Sequence, residues 1–453
     1  MVVSKQIIIC AWIACSVPAF SQPPDPQPSA GGSQGYEGPS ILSRDQSLIG
    51  ERSGKLLDFR LYGSLTGVYD SGLTALSTDQ NGKLLDTGGN YGTEVGFGAF
   101  GSKRWRKDSI DLEYHGAYRH YSTNSYFDGT DQFLNLRYGR ILTRRFTLDL
   151  KETSGITSQS NGSFSYLPLT TSDLLAVPTN ELFDNRTYYT QSRGTLIWQK
   201  TARLSFSAGG DAYAVRRHST ALAGLTGYGA HGDIAYRVTR RQTVNIAYNF
   251  THYDEQHVFG FADIQTFTAG YNIGIGKRYD IGLSFGASYI DYRGLETIQV
   301  DPAIVAIIGQ TSVVQNFQRN SVLPTGEFRL QRRFNRSSVS LNASTGITPG
   351  NGVFLTSRQN AAGAQYSFTG PKRWTMGARL NYNELSALGQ TIGKYSGYQG
   401  GVGGTYRLNG LMHLEFRYDY RHYTTQNNIF QKDSHRVSLG LAFSTGERPL
   451  PIW

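Results

Sequence analysis

The segment Phe133 to Leu150, FLNLRYGRILTRRFTLDL, decides the fold. Before its centre the apolar residues alternate as Leu134, Leu136 and Tyr138, and after it as Phe146, Leu148 and Leu150. Side chains on a strand point to opposite faces with a period of two, so each half has one apolar and one polar face. Thr143, Arg144 and Arg145 between the halves are short and polar, which predicts an antiparallel hairpin. Asn135, Arg137, Asp149 and Lys151 lie on the polar face, where charge requires water.

The pattern recurs from about residue 55 to the end of the chain and predicts eighteen strands. Short basic turns centre near residues 105, 144, 200, 240, 277, 335, 372 and 409, and alternate with longer polar connections. Most spacings are about 38 residues, as expected for two strands, one short turn and one long loop. The two wider spacings, about 56 and 58 residues, place their extra residues in long loops. The strands are predicted to be about 10 to 15 residues long, whereas soluble strands average about 5 to 6. A tilted strand needs about 9 to 11 residues to cross a bilayer. Aromatics gather at the strand ends, as in Tyr118 to Tyr121, His252-Tyr253, Tyr289 to Tyr292 and Tyr420 to Tyr423. Amphipathic rings at fixed depth suit a membrane interface.

These features resemble a bacterial outer-membrane β-barrel of the porin type, with a strand count similar to that of eighteen-stranded solute and alginate-export channels. The resemblance implies one up-and-down transmembrane barrel over residues 55–443, with short periplasmic turns and long external loops. The final strand, Arg436 to Phe443, is similar to the terminal strand read by the barrel assembly machinery, but the chain runs on through Ser444 to Trp453. Residues 1–21 read as a cleaved secretory signal, with Lys5 before an apolar stretch and a small-x-small site at Ala19 to Ser21. Residues 22–54, rich in Pro, Gly and Ser, read as a periplasmic arm. Both cysteines lie in the leader, so a disulfide scaffold and a Cys-ligated metal are excluded.

The formal charge is +10. Much of the excess lies in the short turns, where anionic lipid headgroups would meet it, so nucleic acid is not an expected partner. Alternation assigns to the lumen Arg60, Glu113, Arg119, Arg137, Asp149, Lys151, Glu327, Arg329, Arg379, Arg407, Glu415, Arg417, Asp419 and Arg421. With Arg436 and with Asp58, Glu94, Asp111 and Asp211 on the same face, ten bases stand against nine acids, which fits a structural ion-pair network or a charged ladder that sorts solutes. Two long loops carry apolar runs unusual for solvated loops: Leu167, Leu169, Leu174 and Leu175 in the third, and Ile304, Val305, Ile307 and Ile308 in the sixth. One or both are expected to fold into the mouth and narrow it. The second insertion is read as Glu296 to Asn316.

His120, His252 and His422 stand at rim height within aromatic clusters and read as girdle residues; no hydrolase, metalloprotease or phosphate-loop motif is present. No catalytic residue, metal or cofactor is assigned. A plugged receptor is disfavoured, because it needs about 22 strands and a folded plug domain. The sequence therefore predicts an outer-membrane channel for passive diffusion of small polar or charged solutes, in contact with membrane lipid. An exopolysaccharide export conduit is the alternative, a closed structural barrel or barrel hydrolase is ranked lower, and homo-oligomerisation is left open.

Overall fold

The computed structural model describes residues 58–444 apart from 72–88, 123–124, 158–185, 258, 277, 300–311, 351, 353–354, 370–372, 389–393 and 426–429. The leader, the arm, most of the tail and all eight apolar positions named in the third and sixth loops lie outside the described residues.

Eighteen antiparallel strands form one sheet in which each strand pairs with its neighbours in sequence. They are β1 (Asp58–Asp70), β2 (Asn90–Arg104), β3 (Asp108–Tyr121), β4 (Gly129–Ile141), β5 (Phe146–Thr157), β6 (Thr187–Gln199), β7 (Leu204–Arg217), β8 (Gly224–Thr239) and β9 (Gln242–Gln256), followed by β10 (Gly260–Ile275), β11 (Tyr279–Gln299), β12 (Ser312–Arg333), β13 (Ser337–Thr348), β14 (Ser357–Thr369), β15 (Trp374–Ala387), β16 (Lys394–Arg407), β17 (Met412–Thr425) and β18 (Phe430–Ser444). The first strand pairs with the last, from Tyr62 opposite Ser444 to Asp70 opposite Arg436. The sheet is therefore a closed ring with no free edge, the arrangement that satisfies every ladder in a membrane.

The hairpin at Phe133 to Leu150 shows why the turns close. Leu142 donates its N–H to the Phe146 carbonyl at 2.9 Å, and Thr143 Oγ1 accepts from the N–H groups of Arg145 and Phe146 at 3.2 Å each. Thr201 repeats the device at the β6–β7 turn and Asn409 at the β16–β17 turn. A short side-chain acceptor thus replaces the ladder partner that the turning backbone loses.

Two faces follow from the registers. One set of alternating residues carries large exposed apolar groups, such as Leu61, Leu65, Val95, Phe97, Ile246, Phe285 and Leu439. The other set carries the buried polar and charged groups, including Arg60, Asp70, Arg119 and Asp131. The first set faces out and the second faces in. Outward aromatics stack at the short-turn end, with Phe146 on Trp198 (centroids 5.9 Å) and Trp198 on Phe206 (5.2 Å). They pair again toward the long-loop end, as in Tyr69 with Tyr91 and Tyr228 with His252. Such rings bracket an apolar belt at the two interfaces of a bilayer.

The second insertion differs from the sequence reading. Glu296 to Gln299 and Ser312 to Asn316 are paired strand, not loop, so the β11–β12 hairpin extends well past its neighbours. Those segments, ETIQ and SVVQN, contain the β-branched residues that favour a ladder, and each strand supplies the partner of the other.

Candidate functional site: the inner wall and mouth of the ring

The fourteen lumen candidates all fall on the inward set. Ser344, Gln365, Ser367 and Arg193 also face inward and are nevertheless exposed. The ring therefore encloses accessible space and is not packed solid. Much of the wall is small and polar, for example Ser338, Ser340, Asn342 and Ser344 along β13, which leaves room for water.

Charge is concentrated on one contiguous sector, β15 through β18 and on through β1 to β5. On β17, Asp419 accepts from Arg379 at 3.0 Å and from Arg417 at 2.6 Å. Glu94 on β2 accepts from Arg436 on β18 at 3.2 Å and from Arg119 on β3. Arg119, 2% exposed, is shared with Asp131 on β4. Arg137 holds Asp149 through Nε at 3.0 Å, with a side chain 53% exposed. Nearby, the Tyr62 hydroxyl meets His115 Nδ1 at 2.7 Å, and His115 Nε2 meets Glu113 at 3.0 Å. Asp419, Glu94, Asp131 and Asp149 each have an arginine alongside, so this sector presents paired charge rather than a field of one sign.

The opposite sector is apolar at the long-loop end. Val215, Leu225, Tyr253, Ile264, Ile290 and Tyr292 form one buried cluster. All six point inward, where alternation calls for polar groups. The loop between β13 and β14 bends into the mouth beside Val215, Leu225 and Tyr253. Leu355 is 6% and Thr356 1% exposed. The Tyr253 hydroxyl donates to Thr356 Oγ1 at 2.9 Å, and the Thr356 N–H approaches Glu255 Oε1 at 3.4 Å. Ala223, in the β7–β8 loop, donates its N–H to the Gly352 carbonyl at 3.0 Å, and Arg217 Nε donates to the Ala223 carbonyl at 3.1 Å. Gly352 has φ +91°, and a Cβ there would stand 2.4 Å from Arg217 Nε. Only glycine tolerates both the left-handed backbone and that approach. β13 and β7 lie six strands apart, so this loop crosses part of the opening.

Sequence reasoning missed this loop and also Arg193 and Asp131. The two residues were within reach of the alternation rule, since each is two positions from a residue of the same face. The loop was not, because TPGNGVFLTS carries no apolar run comparable with those of the third and sixth loops.

The rim histidines face outward. His120 pairs with Asp128 at 2.7 Å, His252 with Asp263 at 2.7 Å and His422 with Asp433 at 2.9 Å. Their described partners are carboxylates and rings, with no serine hydroxyl among them. Among the described residues no group of three or more His, Cys, Asp or Glu could hold a metal ion.

The fold is a closed, up-and-down β-barrel with an oil-compatible outside and a polar inside. No family model matches the chain, and no curated protein does. Solved structures similar to it are outer-membrane porins of Pseudomonas. Pseudomonas aeruginosa OpdQ is 11% identical, covering 88% of this chain and 100% of its own, with a TM-score of 0.41. Pseudomonas aeruginosa OccK2 in complex with glucuronate is 13% identical, covering 87% and 100%, with a TM-score of 0.41. A BenF-like porin from Pseudomonas fluorescens Pf-5 is 10% identical, covering 86% and 98%, with a TM-score of 0.43. At these values the assignment of the fold rests on the strand ladder of the chain itself.

Proposed function

We propose that the chain is a channel through which small polar or charged solutes diffuse passively across the outer membrane of a Gram-negative bacterium, which it reaches by means of a cleaved leader. The observation that carries this reading is the exposure of inward-facing Arg193, Ser344, Gln365 and Ser367 inside a closed ring. A ring of eighteen strands is wide enough to leave an aqueous path. The paired charges of the inner wall support small hydrophilic solutes of either sign better than a strict anion or cation filter. The export-conduit alternative draws no support from the comparisons. The terminal strand, with Val437, Leu439, Leu441 and Phe443 facing outward, is the segment offered to the barrel assembly machinery.

Purified protein in liposomes should give swelling rates that fall with solute size across a graded series of sugars. Swelling no faster than in protein-free vesicles at every size would overturn the proposal. The apolar runs of the third and sixth loops are proposed as further constrictions. Deleting Ala303 to Ile308 should then raise single-channel conductance, and an unchanged value would remove the sixth loop from that role.

A further inference from the structure

Several outward-facing cations of the wall stand beside an acid. Arg140 lies 3.7 Å from Asp108, Arg293 3.6 Å from Asp291 and Lys394 2.7 Å from Glu384. Arg332 on β12 is different. It is paired in register with Tyr279 on one side and Val339 on the other, and Leu330 and Phe334 flank it along its own strand face. All four face out and none is acidic. Asp280, beside Tyr279 in the chain, turns inward and stands 3.8 Å from Arg329 instead. The Arg332 guanidinium carbon lies 4.8 Å from the centre of the Tyr279 ring and 4.4 Å from that of Phe334. Its Nε is covered and has no hydrogen-bond acceptor among the described residues. The two terminal nitrogens remain for an acceptor from outside. A guanidinium keeps its charge in such surroundings, and its planar fork of donors matches the oxygens of a phosphate.

Depth narrows the choice of acceptor. Arg332 is second from the short-turn end of its strand, the place that Trp198 takes on β6 and Tyr406 on β16. Aromatic rings at that level mark the interface, where headgroups and not acyl chains meet the wall. Arg278 and Arg336, both exposed, belong to the two short turns beside it, and the Arg333 N–H donates to the Arg278 carbonyl at 2.7 Å, which ties those turns together. Three guanidinium groups gather here, and none of them enters an ion pair among the described residues. The local field is therefore positive and draws an anion. One step deeper, Leu330 and Leu341 lie opposite each other on the outward face and offer an apolar wall to the first carbons of a chain. Phosphate at the girdle with hydrocarbon directly beneath it is the anatomy of a phospholipid.

We propose that Arg332, framed by Tyr279 and Phe334, is a binding site for the phosphodiester of one anionic glycerophospholipid of the periplasmic leaflet, with Arg278 and Arg336 completing the charge. The site is distinct from the diffuse attraction of basic turns to headgroups, because one guanidinium held on two rings defines its position. It requires the barrel to stand in a bilayer but not to conduct.

The protein extracted in mild detergent, supplied with dioleoylphosphatidylglycerol and followed by native mass spectrometry, should keep one lipid per chain after activation that strips the rest. Arg332→Gln removes a charge-assisted contact and should weaken that retention about tenfold. Arg140→Gln, which removes a cation already standing beside Asp108, should leave it at the wild-type level. Phe334→Ala keeps the charge but takes away one ring and should weaken retention by a smaller factor; it decides the matter if Arg332→Gln lacks the heat-dependent gel shift of a closed barrel. Phosphatidylcholine, which carries the phosphate without net charge, should be held less well. Wild-type retention in both Arg332→Gln and Phe334→Ala, an equal loss in Arg140→Gln, equal retention of phosphatidylcholine, or displacement of the lipid by millimolar inorganic phosphate would each overturn the proposal, the last by showing a site for free phosphate.

Discussion

Replacing Tyr253 by Phe and Leu355 by Ala removes two of the contacts that hold the β13–β14 loop inside the ring. The Tyr253 hydroxyl and Thr356 Oγ1 form a buried bond of 2.9 Å, and a net loss of about 1 kcal/mol is expected when the hydroxyl goes. Leu355 is 6% exposed, and trimming a buried leucine to alanine costs about 2 to 5 kcal/mol in a packed core. At a mouth open on one side the lower figure applies, giving about 3 kcal/mol for the pair. Since about 1.4 kcal/mol is tenfold in an equilibrium, the population with the loop undocked should rise about a hundredfold. The backbone bond from Ala223 to Gly352 and the approach of Thr356 to Glu255 remain, so the barrel itself should not be weakened. In planar bilayers the double variant should show a second, larger conductance level or frequent steps toward one, with the wild-type level still visible. Wild-type conductance and noise from a variant whose barrel is intact would refute the idea that this loop narrows the path.

The other predictions concern the wall. Arg119→Met leaves Glu94 and Asp131 facing an apolar stub. Arg436 still serves Glu94, so a loss near the lower end of about 3 to 5 kcal/mol is expected, read as a lower urea midpoint for unfolding from liposomes; an unchanged midpoint would contradict it. Arg137→Ser should cost less than about 1 kcal/mol because the side chain is half exposed. It should nevertheless move the zero-current potential under a salt gradient toward cation preference, because Asp149 then loses its paired guanidinium; no shift would mean that ions do not pass this site. Leu439→Arg puts a cation on the lipid face and should destabilise by about 2 to 4 kcal/mol. The comparison measurement is the same substitution at Ser438, its inward neighbour, which should cost much less.

The ring was legible because its determinants are local. Alternation in segments such as FLNLRYGRI and FTLDLK, basic turns at regular intervals and aromatics at strand ends each reflect a requirement that one strand meets by itself. The identity of the two faces followed, since Arg137 and Asp149 cannot sit in oil. The mouth was not legible for the opposite reason. Tyr253 points inward onto a loop about a hundred residues later, where its hydroxyl meets Thr356, and nothing in QTVNIAYNFTHYDEQ announces that partner. Neither does the tandem Tyr188-Tyr189 reveal which ring turns inward; the register places Tyr189 there, 6% exposed, and leaves Tyr188 outside. Apolar runs drew attention to the third and sixth loops, which lie outside the described residues; among the described residues the β13–β14 loop docks through one leucine, one threonine and a glycine with positive φ.

The seam between β1 and β18 has a consequence for biogenesis. Its pairs join positions more than 360 residues apart, as where His435 donates its N–H to Ser71 Oγ, so nothing near in sequence can zip it early. Until β18 is in place, any sheet formed by the earlier strands has two unpaired margins, each able to pair with another strand. A prematurely terminated product would be a hazard rather than a smaller pore, which makes escort across the envelope and a late, single closing event part of what this architecture demands.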